Sequence, residues 1–149
     1  MAKSYKLGQL GKFRESYYDL GEVLYGSGDI EVPIPDKSAE GAIHKIYVND
    51  NYTIEALQLY ISSDHQAPKD LGVELISPQG TRSVLMTINS NITQGQLEEN
   101  VLLTNAFYGE SSKGEWTIKV IDGAKGRGSN SNDVGSLTKW EMNIFGRLK

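Results

Sequence analysis

The chain has 149 residues, a formal charge of −4 and no cysteine. That length can bury an ordinary core in a single domain without staples. The acidic balance makes nucleic acid and anionic membranes poor partners, and the missing thiols exclude disulfides, thiolate chemistry and cysteine-based zinc sites.

Residues 1–30 differ in texture from the rest. KLGQLGKF and YDLGEVLYGSG repeat Leu–Gly pairs, and Tyr5, Tyr17, Tyr18 and Tyr25 crowd into this stretch. Its start carries lysine but no apolar run of roughly 7–15 residues, so no Sec-type signal peptide is expected. No run further on approaches the ~18–20 apolar residues of a membrane span. The stretch reads as an N-terminal arm, lying along the domain's own surface or docking on another subunit. Tyrosine suits the second role, because it combines a large contact area with a polar tip. The chain therefore divides into an arm, 1–30, and a body, 31–149.

From Ile30 onward the pattern is all-β. Residues 30–33 form a short edge-like strand stopped by Pro33 and Pro35. Residues 42–48 alternate through Ile43, Ile46 and Val48 before the Asn49–Asp50–Asn51 turn. In 53–61 the apolar face takes Ile54, then Ala56 or Leu57, then Leu59 and Ile61. Residues 71–76 and 82–88 make a hairpin across Ser77–Pro78–Gln79–Gly80, where proline suits the second turn position and glycine the last. A polar loop through 89–100 leads to a short strand at 101–103.

The strand at 114–122, GEWTIKVID, anchors the set. Trp116, Ile118 and Val120 share one face and are assigned to the core. The last strand, 137–145, alternates Leu137, Lys139 and Glu141 against Trp140, Met142 and Ile144, so Trp140 and Ile144 join that core. Eight or so short strands with frequent turns and almost no helical periodicity indicate an antiparallel β-sandwich or jelly roll.

Four segments, taken together and in this order, carry a family likeness: VPIPDKSAEG at 32–41, DLGVELISPQGT at 70–81, NAFYGESSKGEWTIKVID at 105–122 and VGSLTKWEMNIFG at 134–146. Across roughly residues 31–146 the chain resembles the P domain (P/Homo B) that follows the catalytic domain of kexin- and furin-like subtilisin-type proteases. The resemblance implies a jelly roll of the galactose-binding-like type, with no catalytic residues of its own, packed on an enzyme as a stabilising partner. His65 and Asp70 fall where such domains often carry His and a Gly–Asp pair, with Lys69 in place of the glycine. Residues 1–30 have no counterpart in it, and no Asp/His/Ser protease segments precede the module.

The residues themselves offer little chemistry. There are two histidines, His44 and His65, and no G-x-S-x-G nucleophile turn. His65 reads as a hydrogen-bonded loop histidine and His44 as a residue on a solvent face or rim. Gly123–Gly128 lacks the pattern of a phosphate loop. Asp64, Asp70, Asp122 and Asp133 are candidate ligands for a structural Ca²⁺, which takes six to eight oxygens from several loops. No other cofactor is implied, and no enzyme activity is expected.

A module of this kind acts by presenting surface. The leading expectation is a stand-alone structural protein that binds protein partners in an oligomer or larger assembly through its arm. Its concrete form is a phage virion component (neck, tail or capsid decoration), located in the virion or at a cytoplasmic assembly site. The alternative is the C-terminal stabilising domain of a secreted kexin- or subtilisin-like protease, which would be extracellular. A second alternative is a carbohydrate-binding module using Tyr47, Tyr52, Tyr60, Phe107 or Tyr108.

Overall fold

Period-two alternation builds both halves of a β-sandwich. The computed structural model describes residues 25–35, 40–65, 68–87, 96–123 and 135–148. Within them the strands are β1 Tyr25–Gly26, β2 Val32–Ile34, β3 Ala42–Val48, β4 Tyr52–Ser63, β5 Leu71–Ile76, β6 Arg82–Met86, β7 Leu97–Thr104, β8 Gly114–Asp122 and β9 Gly135–Leu148. One sheet runs β1-β9-β4-β7, with β2 also paired to β9; the other runs β3-β8-β5-β6. Every strand pair is antiparallel.

The two inner faces make one core. Trp116, Ile118 and Val120 of β8 are fully buried, as are Leu57, Leu59 and Ile61 of β4 and Leu71, Val73 and Leu75 of β5. Trp140 is fully buried too, and Ile144 nearly so, as their alternation requires. The hairpin turn closes as expected, with the Gly80 amide donating to the Ser77 carbonyl at 2.9 Å and Gly80 at φ 92°.

Two bulges decide what local alternation left open. Between Ile54 and Ala56 the register of β4 against β9 slips, so that Ile54 pairs Gly146 and Ala56 pairs Phe145. The extra residue shifts the phase, and the inward set continues with Leu57 rather than Ala56. Gly146 lies where a Cβ would stand 2.3 Å from the Thr53 carbonyl oxygen, which keeps the strands close there. A second slip, between Ser62 and Ser63, leaves Ser62 on Lys139 and Ser63 on Leu137. Leu137 is thereby turned into the core with Trp140, and not onto the face of Lys139 and Glu141 as simple alternation suggests. Strand β7 is also longer than the 101–103 run, because Leu97 enters the core from within the polar stretch.

The segment after β7 folds back on the start of β4. Gly109 donates to the Ile54 carbonyl at 2.7 Å, Ile54 to the Glu110 carbonyl at 2.8 Å, and Ser112 to the Tyr52 carbonyl at 2.9 Å. This return drops Phe107, fully buried, edge-on against Trp116 at 5.1 Å between ring centroids.

Residues 25–30, grouped with the arm on sequence grounds, run along β9. Tyr25 pairs Met142, the Ser27 amide donates to the Trp140 carbonyl at 2.9 Å, and the Ile30 amide to the Thr138 carbonyl at 2.9 Å. Residues 25–30 are thus held on β9 by main-chain bonds. Tyr25 packs against the core, and its phenol donates to Asp50 Oδ2 at 2.9 Å. Burial, then the Asp50 carboxylate, push the phenol's pKa well above its ordinary value. The folded state therefore favours the neutral phenol. Its contribution is fully present below the unfolded phenol's pKa of about 10 and is lost as pH rises beyond it. Urea unfolding at about pH 9 and about pH 11 should show a steeper alkaline loss for the native chain than for Tyr25→Phe; equal losses would contradict this.

Candidate functional site

Four residues singled out in the sequence meet or approach one another at one end of the sandwich. Asp122 ends β8 in phase with Trp116, Ile118 and Val120, so the core alternation carries a carboxylate indoors. A buried carboxylate needs a donor. His65, in the turn after β4, supplies it: its Nε2 lies 3.0 Å from Asp122 Oδ2, and both side chains are completely inaccessible. A carboxylate only accepts, so the ring proton sits on Nε2.

The surrounding backbone holds this pair in place. The His65 amide donates to Ser63 Oγ at 3.1 Å, and Ser63 Oγ donates to the Ser136 carbonyl at 2.8 Å. Asp64 turns the other way and accepts the Ser136 amide on Oδ1 at 2.6 Å. Gly135 passes so close to His65 that a Cβ would stand 2.3 Å from its Cα. Asp70 is buried at the start of β5, in a 3-10 turn spanning Pro68–Asp70, and its carbonyl accepts the Gly123 amide at 2.9 Å. Together these bonds fasten the ends of β4 and β8 to the start of β9.

Such a knot cannot carry out acid–base or nucleophilic chemistry on a substrate. The imidazole has no solvent access, and the nearby Ser63 hydroxyl is directed at a backbone carbonyl. Among the described residues no three acidic, histidine or cysteine side chains stand where they could hold one metal ion. Asp122 faces His65 and Asp64 faces Ser136, while Asp133 lies outside the described residues, as do Tyr5, Tyr17 and Tyr18.

His44 corrects the sequence reading. It faces inward from β3 and accepts the Trp140 indole N–H on Nδ1 at 3.0 Å, bridging the two sheets. Residue-type alternation puts it on the inner face with Ala42 and Val48, a signal masked by the exposed Ile43 between them. The five aromatic candidates for glycan binding do not assemble. Tyr52 and Phe107 are buried, Tyr47 stands out from β3, and Tyr60 lies on the outer face of β4 hydrogen-bonded with Gln58 and Asn143.

A surface with a different character follows β7. Val101, Leu103 and Tyr108 are exposed along this edge and the turn beyond it, with Leu103 70% accessible. Leu103 and Val101 pair the uncharged residues Gln58 and Tyr60 on β4. Ion pairs stand on both sheets away from this edge: Lys139–Glu141 and Arg147–Glu55 on β9 and β4, Lys45–Glu115 and Glu74–Arg82 on the other sheet.

The model of the proprotein convertase P-domain matches residues 54–144. The chain belongs to the P-domain family. The jelly-roll resemblance read in the sequence is thereby confirmed, and the P domain is a non-catalytic accessory domain of proteases. This P domain is 32% identical over 124 residues to the Aeromonas extracellular serine protease of Aeromonas sobria, covering 63% of this chain and 20% of that protein. It is 39% identical over 88 residues to the microbial serine proteinase of Aeromonas salmonicida, covering 50% of this chain and 14% of that protein. The crystal structure of the Aeromonas sobria serine protease in complex with the chaperone ORF2 superposes with a TM-score of 0.73 at 26% identity, over 85% of this chain and 28% of that one. The P domain thus spans a fifth or less of these two relatives. These relatives are serine proteases, which moves the reading away from a virion component and toward the protease alternative.

Proposed function

We propose that this P domain is the accessory module of an extracellular subtilisin-type serine protease, and that it stabilises the catalytic domain by packing against it. The observation that carries the reading is the family match over 54–144, joined to serine-protease relatives at 32% and 39% identity. The surface along β7 supports it. Interface cores are depleted of charge and enriched in aromatics, and an edge strand carrying exposed valine and leucine needs a cover. Leu103, Val101 and Tyr108 provide such a patch, flanked by neutral Gln58, Tyr60 and Asn143.

The test uses the protein from its native source, captured with an antibody to the P domain and treated with a fluorophosphonate probe for activated serines. A labelled serine protease, continuous with the P domain or bound to it, is the expected result. In that species Leu103→Asp should lower the temperature of thermal inactivation. Recovery of the P domain with no fluorophosphonate-reactive partner would overturn the proposal.

A further inference from the structure

Trp140 is fully buried, and its indole N–H donates to His44 Nδ1 with the two rings edge-to-face, 6.1 Å between centroids and 88° between planes. An indole nitrogen can only donate. His44 must therefore present a lone pair at Nδ1 and carry its ring proton at Nε2. An imidazolium has protons on both nitrogens, so proton uptake would set one N–H against another. The bond exists only while His44 is neutral.

The same tryptophan holds the N-terminal strap through its backbone. Its carbonyl accepts the Ser27 amide at 2.9 Å, and its own amide donates to Ser27 Oγ at 3.0 Å. One residue thus bears the cross-sheet bond on its side chain and both bonds to Ser27 on its main chain.

The charges near His44 face elsewhere. On β3, Lys45 points out of the sandwich and meets Glu115 of β8 at 3.4 Å. On β8, the residue opposite His44 is Ile118, with Lys119 on the outer face. On β9, Lys139 and Glu141 flank Trp140 on the outer face and pair at 3.5 Å. In the strap, Asp29 and Glu31 are exposed, the Tyr25 phenol is bonded to Asp50, and β2 contributes no titratable group. Asp122, further along the inner face of β8, is bonded to His65. Among the described residues no carboxylate lies within ion-pair distance of His44 to receive an imidazolium.

We propose that His44 and Trp140 form an acid-labile clasp: protonation of His44 breaks the cross-sheet bond and loosens residues 25–30 on β9 while the rest of the core stays folded. The sign follows from the donor geometry. The clasp's contribution is present while the imidazole is neutral and is lost when it takes up a proton. Acidity would then control how firmly residues 25–30 are seated on β9.

The experiment is a ¹H–¹⁵N titration of the 149-residue chain with ¹⁵N-labelled tryptophan, together with amide exchange. The two tryptophans give two indole resonances. Trp116 is an internal reference, because its N–H donates to the Ser112 carbonyl, which does not titrate. Between about pH 8 and pH 5, the Trp140 resonance should move along a single-proton curve while that of Trp116 stays fixed. Over the same range the Ser27 and Ile30 amides should lose protection by roughly tenfold beyond the intrinsic pH effect. His44→Gln, whose amide oxygen can accept without titrating, should abolish both responses. A Trp140 resonance that does not move, one that still moves in His44→Gln, or unchanged protection of the strap would each overturn the proposal. The native titration decides the matter by itself should His44→Gln fail to fold.

Discussion

Trp116→Ala should lower the free energy of unfolding by about 3–5 kcal/mol, the range for removing a large aromatic from a packed core. The indole has no solvent exposure, so the loss is not cushioned by water already present. It also sits at the meeting point of two devices. Phe107 stands edge-on to it, brought there by the return of residues 105–112 onto β4. Its N–H donates to the Ser112 carbonyl at 2.8 Å, and Ser112 Oγ accepts the Tyr52 amide at 2.8 Å and donates to the Asp50 carbonyl. Truncation therefore opens a cavity, releases Phe107 and leaves a buried carbonyl without its donor. Trp116→Phe, which keeps an aromatic body but not the N–H, should cost less. Phe107→Ala should be destabilising too, and the double variant should fall short of the sum, because the two rings are each other's packing partners. Urea titrations with an unchanged m-value would read these losses. A loss below about 1 kcal/mol for Trp116→Ala would mean that the neighbouring strands collapse into the gap, contrary to a close-packed sandwich.

How much of this was legible in the residues depended on whether the cause was local. Strand β8 could be read outright, since nine consecutive residues obey one alternation and each end carries turn chemistry. The hairpin at 77–80 was equally clear, because proline and glycine set its dihedral angles themselves. The phase of β4 after Ile54 and the burial of Leu137 could not be read. Both are fixed by bulges in the pairing of β4 with β9, strands separated by most of the chain, and a one-residue slip reverses every side chain beyond it. The site divides in the same way. His65 as a hydrogen-bonded loop histidine followed from its polar neighbours, but its partner lies 57 residues away. The clue was present in the phase of Asp122, which continues the inward run of Trp116, Ile118 and Val120. His44 failed for the opposite reason. Its inward neighbours on β3 are interleaved with Ile43 and Tyr47, apolar residues that stand outside, so hydrophobicity pointed the wrong way.

Asp122→Ala should cost about 3–5 kcal/mol, as expected when one partner is removed from a buried polar pair. The cost arises mainly from what is left behind. His65 would lose the Asp122 carboxylate at a place that water does not reach, since both side chains are wholly enclosed. The effect would be felt at the end of the sandwich where Ser63, Asp64 and Ser136 join β4 to β9, so the Ser136 amide should lose exchange protection along with the global destabilisation. Removing both members with apolar side chains of similar volume, as in His65→Leu with Asp122→Leu, should recover a large part of the single-variant loss, because neither half of the pair is then buried without the other. That contrast separates a polar knot that specifies geometry from one that supplies net stability. If the double variant proved as unstable as the two single losses added together, the pair itself, and not the penalty of breaking it, would be what holds this end of the fold closed.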